Sequence, residues 1–356
     1  MIVRDEAKSL ARAIDSFQGV ADEIIVVDTG STDGSVEIAR SLGAQVLHHE
    51  WDDDFSAARN VGFDAARTDW VFALDADERL LPESRDELLR LVRSGDAQAY
   101  VVTRRDVTAG GVAEMPFVRL ARPSVGSRMV GRIHERIEPP LTDVRSSGIV
   151  VEHFGYAEGK NESRLRRNLP LLEKELQDRP GQPYMLAELA HTYWLLRDQR
   201  WRDMLSETFR RIDLNAARPP VAPLLTLLEI VLAAPEAALP TGISHALADG
   251  LAERWYPRSV PLLVHRTRLA FTRGDLTQAA KLGQRAAVLW DEATYDRTIS
   301  FDPAIVGAEF RLNLGVALAH LGRLDEALAR FEEAASDPRF APLARTNADA
   351  VRAARG

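Results

Sequence analysis

The chain has 356 residues, enough for two domains, and its composition of 46% apolar and 28% charged residues is that of a globular protein, not a disordered one. A formal net charge of -8 argues against nonspecific nucleic-acid binding, so no nucleic-acid partner is expected. There is no cysteine, which excludes disulfides, thiolate nucleophiles and Cys-ligated zinc and fits a reducing, cytoplasmic setting.

The first residues, Met1-Ile2-Val3-Arg4-Asp5-Glu6, lack the basic region and long apolar core of a signal peptide. Ile2 and Val3 read as a clipped first strand, and a start upstream of this Met stays open. Residues 23–28 are a β-branched run ending at Asp28, and 35–42 read as a helix closed by Gly43. A strand over 44–47, a helix over 56–66 and a strand over 70–74 follow. Strands alternating with helices imply parallel βαβ units in a doubly wound sheet. Ligands of such sheets sit beyond the carboxyl ends of the strands, where Asp28 and Asp75 fall.

From about Asn161 the pattern changes: Leu, Ala, Arg and Glu recur at helical spacing and strand signals vanish. The longest apolar stretch, 221–234, is interrupted by Pro223 and Glu229 and is too short for a bilayer. It reads as a buried helix, and no transmembrane segment is expected. Residues 311–338 resemble a tetratricopeptide repeat. There Gly315 and Ala327 let paired helices approach, Gly322 makes the turn and Pro338 stops the second helix. A weaker copy spans 262–290 and turns at Gly274-Asp275, and 184–214 is a third candidate. Residues 291–303 are inserted between copies, so the array is irregular. Residues 218–240 are the least regular part. The expected divisions are a sheet-bearing domain over 1–160, a linker helix over 161–180 and a helical-repeat domain over 181–356.

Three patches carry chemistry. In Val27-Asp28-Thr29-Gly30-Ser31-Thr32-Asp33 a carboxylate follows a strand, and small residues lead into a helix. That suits a nucleoside hydroxyl or base edge; Ser31, Thr32 or Asp33 acting as a plain helix N-cap is the structural alternative. In Leu74-Asp75-Ala76-Asp77-Glu78 two carboxylates at i and i+2 of extended backbone face one side. Oxygen ligands of that kind hold a hard divalent cation, which in turn binds a diphosphate; a solvated acidic turn is the alternative. In Asp54-Phe55-Ser56-Ala57-Ala58-Arg59-Asn60, Arg59 offers a fork for phosphate or for the carboxylates themselves. The run Asp52-Asp53-Asp54 precedes a helix rather than ending a strand, so it reads as a solvated turn.

Together these patches resemble family 2 glycosyltransferases of the GT-A fold. The bacterial subgroup in question includes lipopolysaccharide-core glucosyltransferases and the S-glycosyltransferases of glycosylated bacteriocins. The resemblance covers roughly residues 1–160. It implies an α/β GT-A domain, Rossmann-like with a mostly parallel sheet, ahead of an all-α helical-repeat domain. It also implies a nucleotide-sugar donor, UDP-linked, a Mn²⁺ or Mg²⁺ cofactor, and a protein, peptide or glycan acceptor. Asp28 would contact the uridine, with Ser31 beside it and Glu6 near the base. Arg59 and Asn60 would lie near the diphosphate, and Asp75 and Asp77 would form the metal and nucleotide motif. An inverting transfer needs a general base. Gly131-Arg132-Ile133-His134-Glu135 resembles a family segment and nominates Glu135, with His134 second. Val151-Glu152-His153-Phe154-Gly155-Tyr156 resembles the family's closing segment and offers His153 as a third metal ligand, a satisfied structural histidine being the alternative. His48, His49, His191, His265 and His320 are assigned to surface or packing. The rival readings are a phosphotransferase, disfavoured because Glu78-Arg79 follows the acidic pair, and a non-catalytic scaffold presenting the helices to a partner.

Overall fold

A computed structural model describes residues 1–94, 96–108, 111–123, 128–138, 140–154, 161–221, 223–297 and 301–355. The chain divides into an α/β unit, built from 1–108 and 112–180, and an all-α unit made mainly of 181–356. The expected fold class, α/β followed by helical repeats, is what the chain adopts.

In the α/β unit, β1 (Ile2–Val3), β2 (Ile25–Asp28) and β3 (Gln45–His48) form a wholly parallel sheet in that order. The crossovers are α1 (Leu10–Phe17) and α2 (Ser35–Ser41). Helix α1 buries Leu10, Ala13, Ile14 and Phe17, the i, i+3, i+4, i+7 stripe of an amphipathic helix. Each large side chain so buried contributes about 1.5–3 kcal/mol. Helix α3 (Phe55–Ala65) starts at Asp54, whose carboxylate accepts the Ala57 amide at 3.0 Å. The acidic run therefore ends in an N-cap, worth about 1 kcal/mol.

The strand expected over 70–74 is shorter and lies elsewhere. Only Val71–Phe72 (β4) enters a ladder, antiparallel to β7 (Gly111–Ala121) in a second sheet. That sheet continues through β6 (Ala99–Thr108) and β10 (Val144–His153) to β5 (Glu78–Leu80), with β6 and β10 parallel and β5 antiparallel to β10. Leu74, Leu80, Val102, Leu120, Ile149 and Val151 make its core with Leu88 and Leu91 of α4 (Arg85–Ser94). A small ribbon of β8 (Arg128–Val130) and β9 (Arg136–Glu138) stands apart. Helix α5 (Asn161–Asp178), expected as a linker, is part of this unit: Leu171 and Leu172 are buried and Glu175 accepts the Arg132 amide at 2.9 Å. A cavity of about 300 Å³ lies among α1, β2, α3 and β4, lined by apolar groups such as Phe17, Phe63 and Phe72. Of the candidate site residues only Arg59 lines it, so it is not the site.

In the all-α unit, α6 (Pro183–Leu195) pairs with α7 (Trp201–Arg211), and α8 (Leu224–Ala233) with α9 (His245–Trp255). Likewise α10 (Val260–Thr272) pairs with α11 (Leu276–Asp291) and α12 (Ala308–His320) with α13 (Leu324–Ala334), and α14 (Ala341–Arg355) packs on α13. Helix α8 carries most of the apolar run 221–234 and is buried almost all round. No helix among the described residues is long and apolar enough to cross a membrane. Gly322 turns α12 into α13 at φ +72°, a region that favours glycine. Gly315 is needed for a close approach: a Cβ there would lie 2.6 Å from the buried Phe331 ring.

Candidate functional site

The ends of β1 and β2 are tied together by their loops. Asp28, the last residue of β2, is buried and accepts the amides of Gly30 at 3.2 Å and Ser31 at 3.1 Å. His48, opposite it in register on β3, stands 3.4 Å from the same carboxylate. Burial opposes ionisation of Asp28, but Ser31, Gly30 and His48 together hold it below the usual carboxylate range. From the β1 side, Asp5 adopts a left-handed φ of 55° and accepts the Thr32 amide at 2.7 Å, while its own amide donates to Ser31 Oγ at 3.0 Å. The Glu6 amide donates to Ser35 Oγ at 2.8 Å, and its carboxylate accepts Ser9 Oγ at 2.7 Å. Glu6, Asp28 and Ser31 are thus brought into one double loop; the N-cap position of α2 is Gly34, and the Asp33 carboxylate accepts the Ser35 amide at 3.1 Å.

The Asp-x-Asp pair is split, which corrects the expectation of extended backbone. Residues 75–78 form a tight turn in which the Glu78 amide donates to Asp75 O at 3.1 Å. Ala76 is the cause: it is buried in a small core with Val3, Leu10, Ile14 and Ala39, and pins the turn at the end of β1. Asp75 points into a guanidinium clamp. Arg59 reaches one oxygen at 2.8 Å and Arg119 the other at 3.0 Å. Arg119 also holds the buried Glu78 at 2.7 Å. These two cations overcome the burial that opposes the charge on Asp75 and keep it well below the usual range. Burial and the Asp75 charge push Glu78 upward instead.

Asp77 faces the other way. Its Oδ2 lies 3.2 Å from His153 Nε2, and His153 Nδ1 lies 2.8 Å from the buried Asp106. Arg104 in turn pairs with Asp106 at 2.9 Å. Burial disfavours a charged His153, but the bonds to Asp106 and Asp77 outweigh it and raise the imidazole to about 9. Phe154 donates its amide to Asp77 O at 3.1 Å; Gly155 and Tyr156 of the same expected segment lie outside the described residues.

Among the described residues no three acidic or histidine side chains converge as a ready metal cage. The donor chemistry of Asp77 and His153 nevertheless fits a divalent cation. Metal-binding imidazoles commonly give their second nitrogen to a carboxylate, and His153 has one 2.8 Å away in Asp106. Asp75 does not fit, because both of its oxygens are engaged by guanidiniums.

On the far side of Arg59, its Nε donates to Glu135 Oε1 at 2.8 Å. Glu135 and the exposed His134 sit in the loop between β8 and β9, which Gly131 (φ 111°) and His134 (φ 55°) bend sharply. The loop is docked by the Phe55 amide, which donates to Arg132 O at 2.9 Å. With Nε held by Glu135 and one terminal nitrogen by Asp75, Arg59 is a buried strut, 14% exposed. Asn60 is likewise occupied: its amide exchanges two hydrogen bonds with the Met129 backbone of β8. Sequence reasoning did not single out Asp106, Arg119 or the placement of His48. Asp106 is opposite His153 in the β6–β10 register, and only that pairing could have exposed it.

Residues 1–155 match the family model described as Glycosyl transferase family 2. A TPR repeat-containing protein of Synechococcus elongatus is 37% identical over 202 residues, 53% of this chain and 50% of the relative. The SPbeta prophage-derived glycosyltransferase SunS of Bacillus subtilis is 27% identical over 218 residues, 58% of this chain and 52% of SunS. An uncharacterized glycosyltransferase of Rickettsia prowazekii is 38% identical over 101 residues, 28% of this chain and 34% of that protein. The chain therefore spans between about a third and about half of the length of these curated relatives. Among solved structures, S. aureus TarS is similar at a TM-score of 0.36 and 12% identity, covering 83% of this chain and 91% of that one. The α/β unit, with its strand-end carboxylates, is thus the part of the chain that is similar to glycosyl transferase family 2, and the chain joins it to a tetratricopeptide-like helical array.

Proposed function

We propose that the chain is an inverting glycosyltransferase that moves a sugar from a nucleotide donor, UDP-linked, to a nucleophile on a protein, peptide or glycan. The observation that carries this reading is the pairing of Asp77 with an Asp106-backed His153 at the strand ends of a domain similar to family 2. Asp28 and Ser31 bind the nucleoside, and Glu6 stands toward the base. Asp77 and His153 hold Mn²⁺ or Mg²⁺, which when bound neutralises charge on the diphosphate leaving group. Asp75, locked by Arg59 and Arg119, fixes the turn that presents Asp77. Glu135 is the general base: Arg59 engages Oε1, and Oε2 takes the acceptor proton. His134 is the second candidate for that role. The helical array docks a protein or peptide acceptor, as tetratricopeptide-type arrays commonly bind extended peptides. A cytoplasmic location belongs to the same proposal, supported by the lack of cysteine.

The test is a panel of nucleotide-sugars incubated with Mn²⁺, Mg²⁺ or a chelator, scored for release of nucleoside diphosphate. Slow metal-dependent hydrolysis of at least one donor is expected. No binding or hydrolysis of any donor by the folded protein would overturn the reading.

A further inference from the structure

The segment from Gly131 to Glu135 is bent against local preference and held from outside. Gly131 at φ 111° and His134 at φ 55° both lie in the left-handed region, which costs a non-glycine residue roughly 1–2 kcal/mol. Such backbone persists only where its surroundings fix it. The fixing point is Arg132, three residues before Glu135. Its carbonyl accepts the Phe55 amide at 2.9 Å, from the first turn of α3. Its amide donates to Glu175 Oε2 at 2.9 Å and its Nε to Asp178 Oδ2 at 2.7 Å, both on the last turn of α5. Both polar groups of this backbone unit are thus taken by elements outside the loop. The Glu175 side chain is 3% exposed; Arg179 Nε stands 3.7 Å from its Oε1, which accepts no hydrogen bond. A carboxylate buried on those terms costs stability that an apolar side chain would not. What it supplies is a charge-assisted bond to one amide of the loop that carries Glu135, stronger than a neutral hydrogen bond.

We propose that Glu175 is a positioning residue for the reaction: through the Arg132 amide it sets where Glu135 presents Oε2 to the acceptor. The inference rests on the reading of Glu135 as general base and deepens it: α5, which sequence spacing marks only as a linker, becomes the support of the base loop.

The test measures release of nucleoside diphosphate by the full chain from the nucleotide-sugar panel with Mn²⁺, water serving as acceptor. The proteins are wild type, Glu175→Ala, Glu175→Gln and Glu135→Gln, with Glu175→Ala/Glu135→Gln closing the cycle. Glu175→Ala should lower kcat by about 10- to 100-fold, the size of a displacement of roughly 1 Å at a reacting group, and leave UDP affinity within about twofold. Glu175→Gln keeps an oxygen for the Arg132 amide and should recover most of the rate. In the Glu135→Gln background the alanine change should cost less than about twofold, because a group acting through another has no effect once that other is gone. Hydrogen exchange over 129–138 should rise in Glu175→Ala while exchange over 25–28 does not. Should Glu175→Ala not fold, Asp178→Ala, at a half-exposed side chain, takes its place with a loss of about 2- to 5-fold and the same non-additivity. Wild-type turnover in these variants, a loss that multiplies with that of Glu135→Gln, or an equal loss of UDP affinity would overturn the positioning role and leave the base assignment standing. Normal turnover by Glu135→Gln, or none by folded wild type on any donor, removes both.

Discussion

Raising the pH of the metal-free protein from 6.5 to 9 should remove a proton from His153 and some stability with it. The folded imidazole is raised from its ordinary 6.5 to about 9, since the bonds to Asp106 and Asp77 and the Asp77 charge outweigh burial and the opposing Arg104 charge. The sign follows from linkage. A folded value above the unfolded one stabilises fully below about 6.5, and that contribution is lost as pH rises through about 9. Its size is roughly 3 kcal/mol at most. Little is lost to solvent screening, because the His153 side chain is 9% exposed. The same proton competes with a cation, so Mn²⁺ affinity should improve about tenfold per pH unit between 6 and 8, with one proton released per ion. Urea unfolding of chelated wild type and His153→Gln across this range measures the first effect. Calorimetry in buffers of different ionisation enthalpy counts the proton. Asp106→Asn should flatten both dependences. Parallel stability profiles for wild type and His153→Gln, or Mn²⁺ binding without proton release, would refute the reasoning.

Asp75→Asn leaves Arg59 and Arg119 without their shared counter-charge and should cost roughly 2–4 kcal/mol in urea unfolding, toward the low end because Asp75 is 32% exposed; a loss well under 1 kcal/mol would contradict the clamp. Glu135→Gln keeps an oxygen for Arg59 but removes the proton acceptor, so donor binding should persist while transfer falls by roughly 10²- to 10⁴-fold. Normal transfer by that variant, with His134→Ala inactive, would exchange their roles. Gly315→Ala drives a Cβ to 2.6 Å from Phe331 and should lower stability by about 1–3 kcal/mol in thermal unfolding; an unchanged midpoint would show that α12 and α13 do not need that approach.

Local features of this chain were legible because they depend on near neighbours. The helices over 35–42 and 56–66, the Gly322 turn and the strand ending at Asp28 all follow from spacing within a few residues. The two-part architecture followed from the change of periodicity near residue 161. The fate of Asp75 was not legible. Alternation in an Asp-x-Asp string presumes extended backbone, and the burial of Ala76 against β1 and α2, which bends it, is a tertiary fact. Arg119 is 44 residues from Asp75, and Asp106 is 47 from His153, so their pairing depends on strand registers that no local pattern reports. Asn60 illustrates the same limit: a side chain suited to a ligand also suits a strand edge, and here β8 takes it.

The central claim is that Asp77 and His153 join a divalent cation to a nucleoside diphosphate. Its most direct measurement is UDP titration by calorimetry, with Mn²⁺ and with chelator, on wild type and Asp77→Asn. Wild type should bind UDP more tightly with Mn²⁺ than with chelator, and Asp77→Asn should bind it equally weakly in both. A folded Asp77→Asn protein that keeps the full Mn²⁺ enhancement would contradict the account.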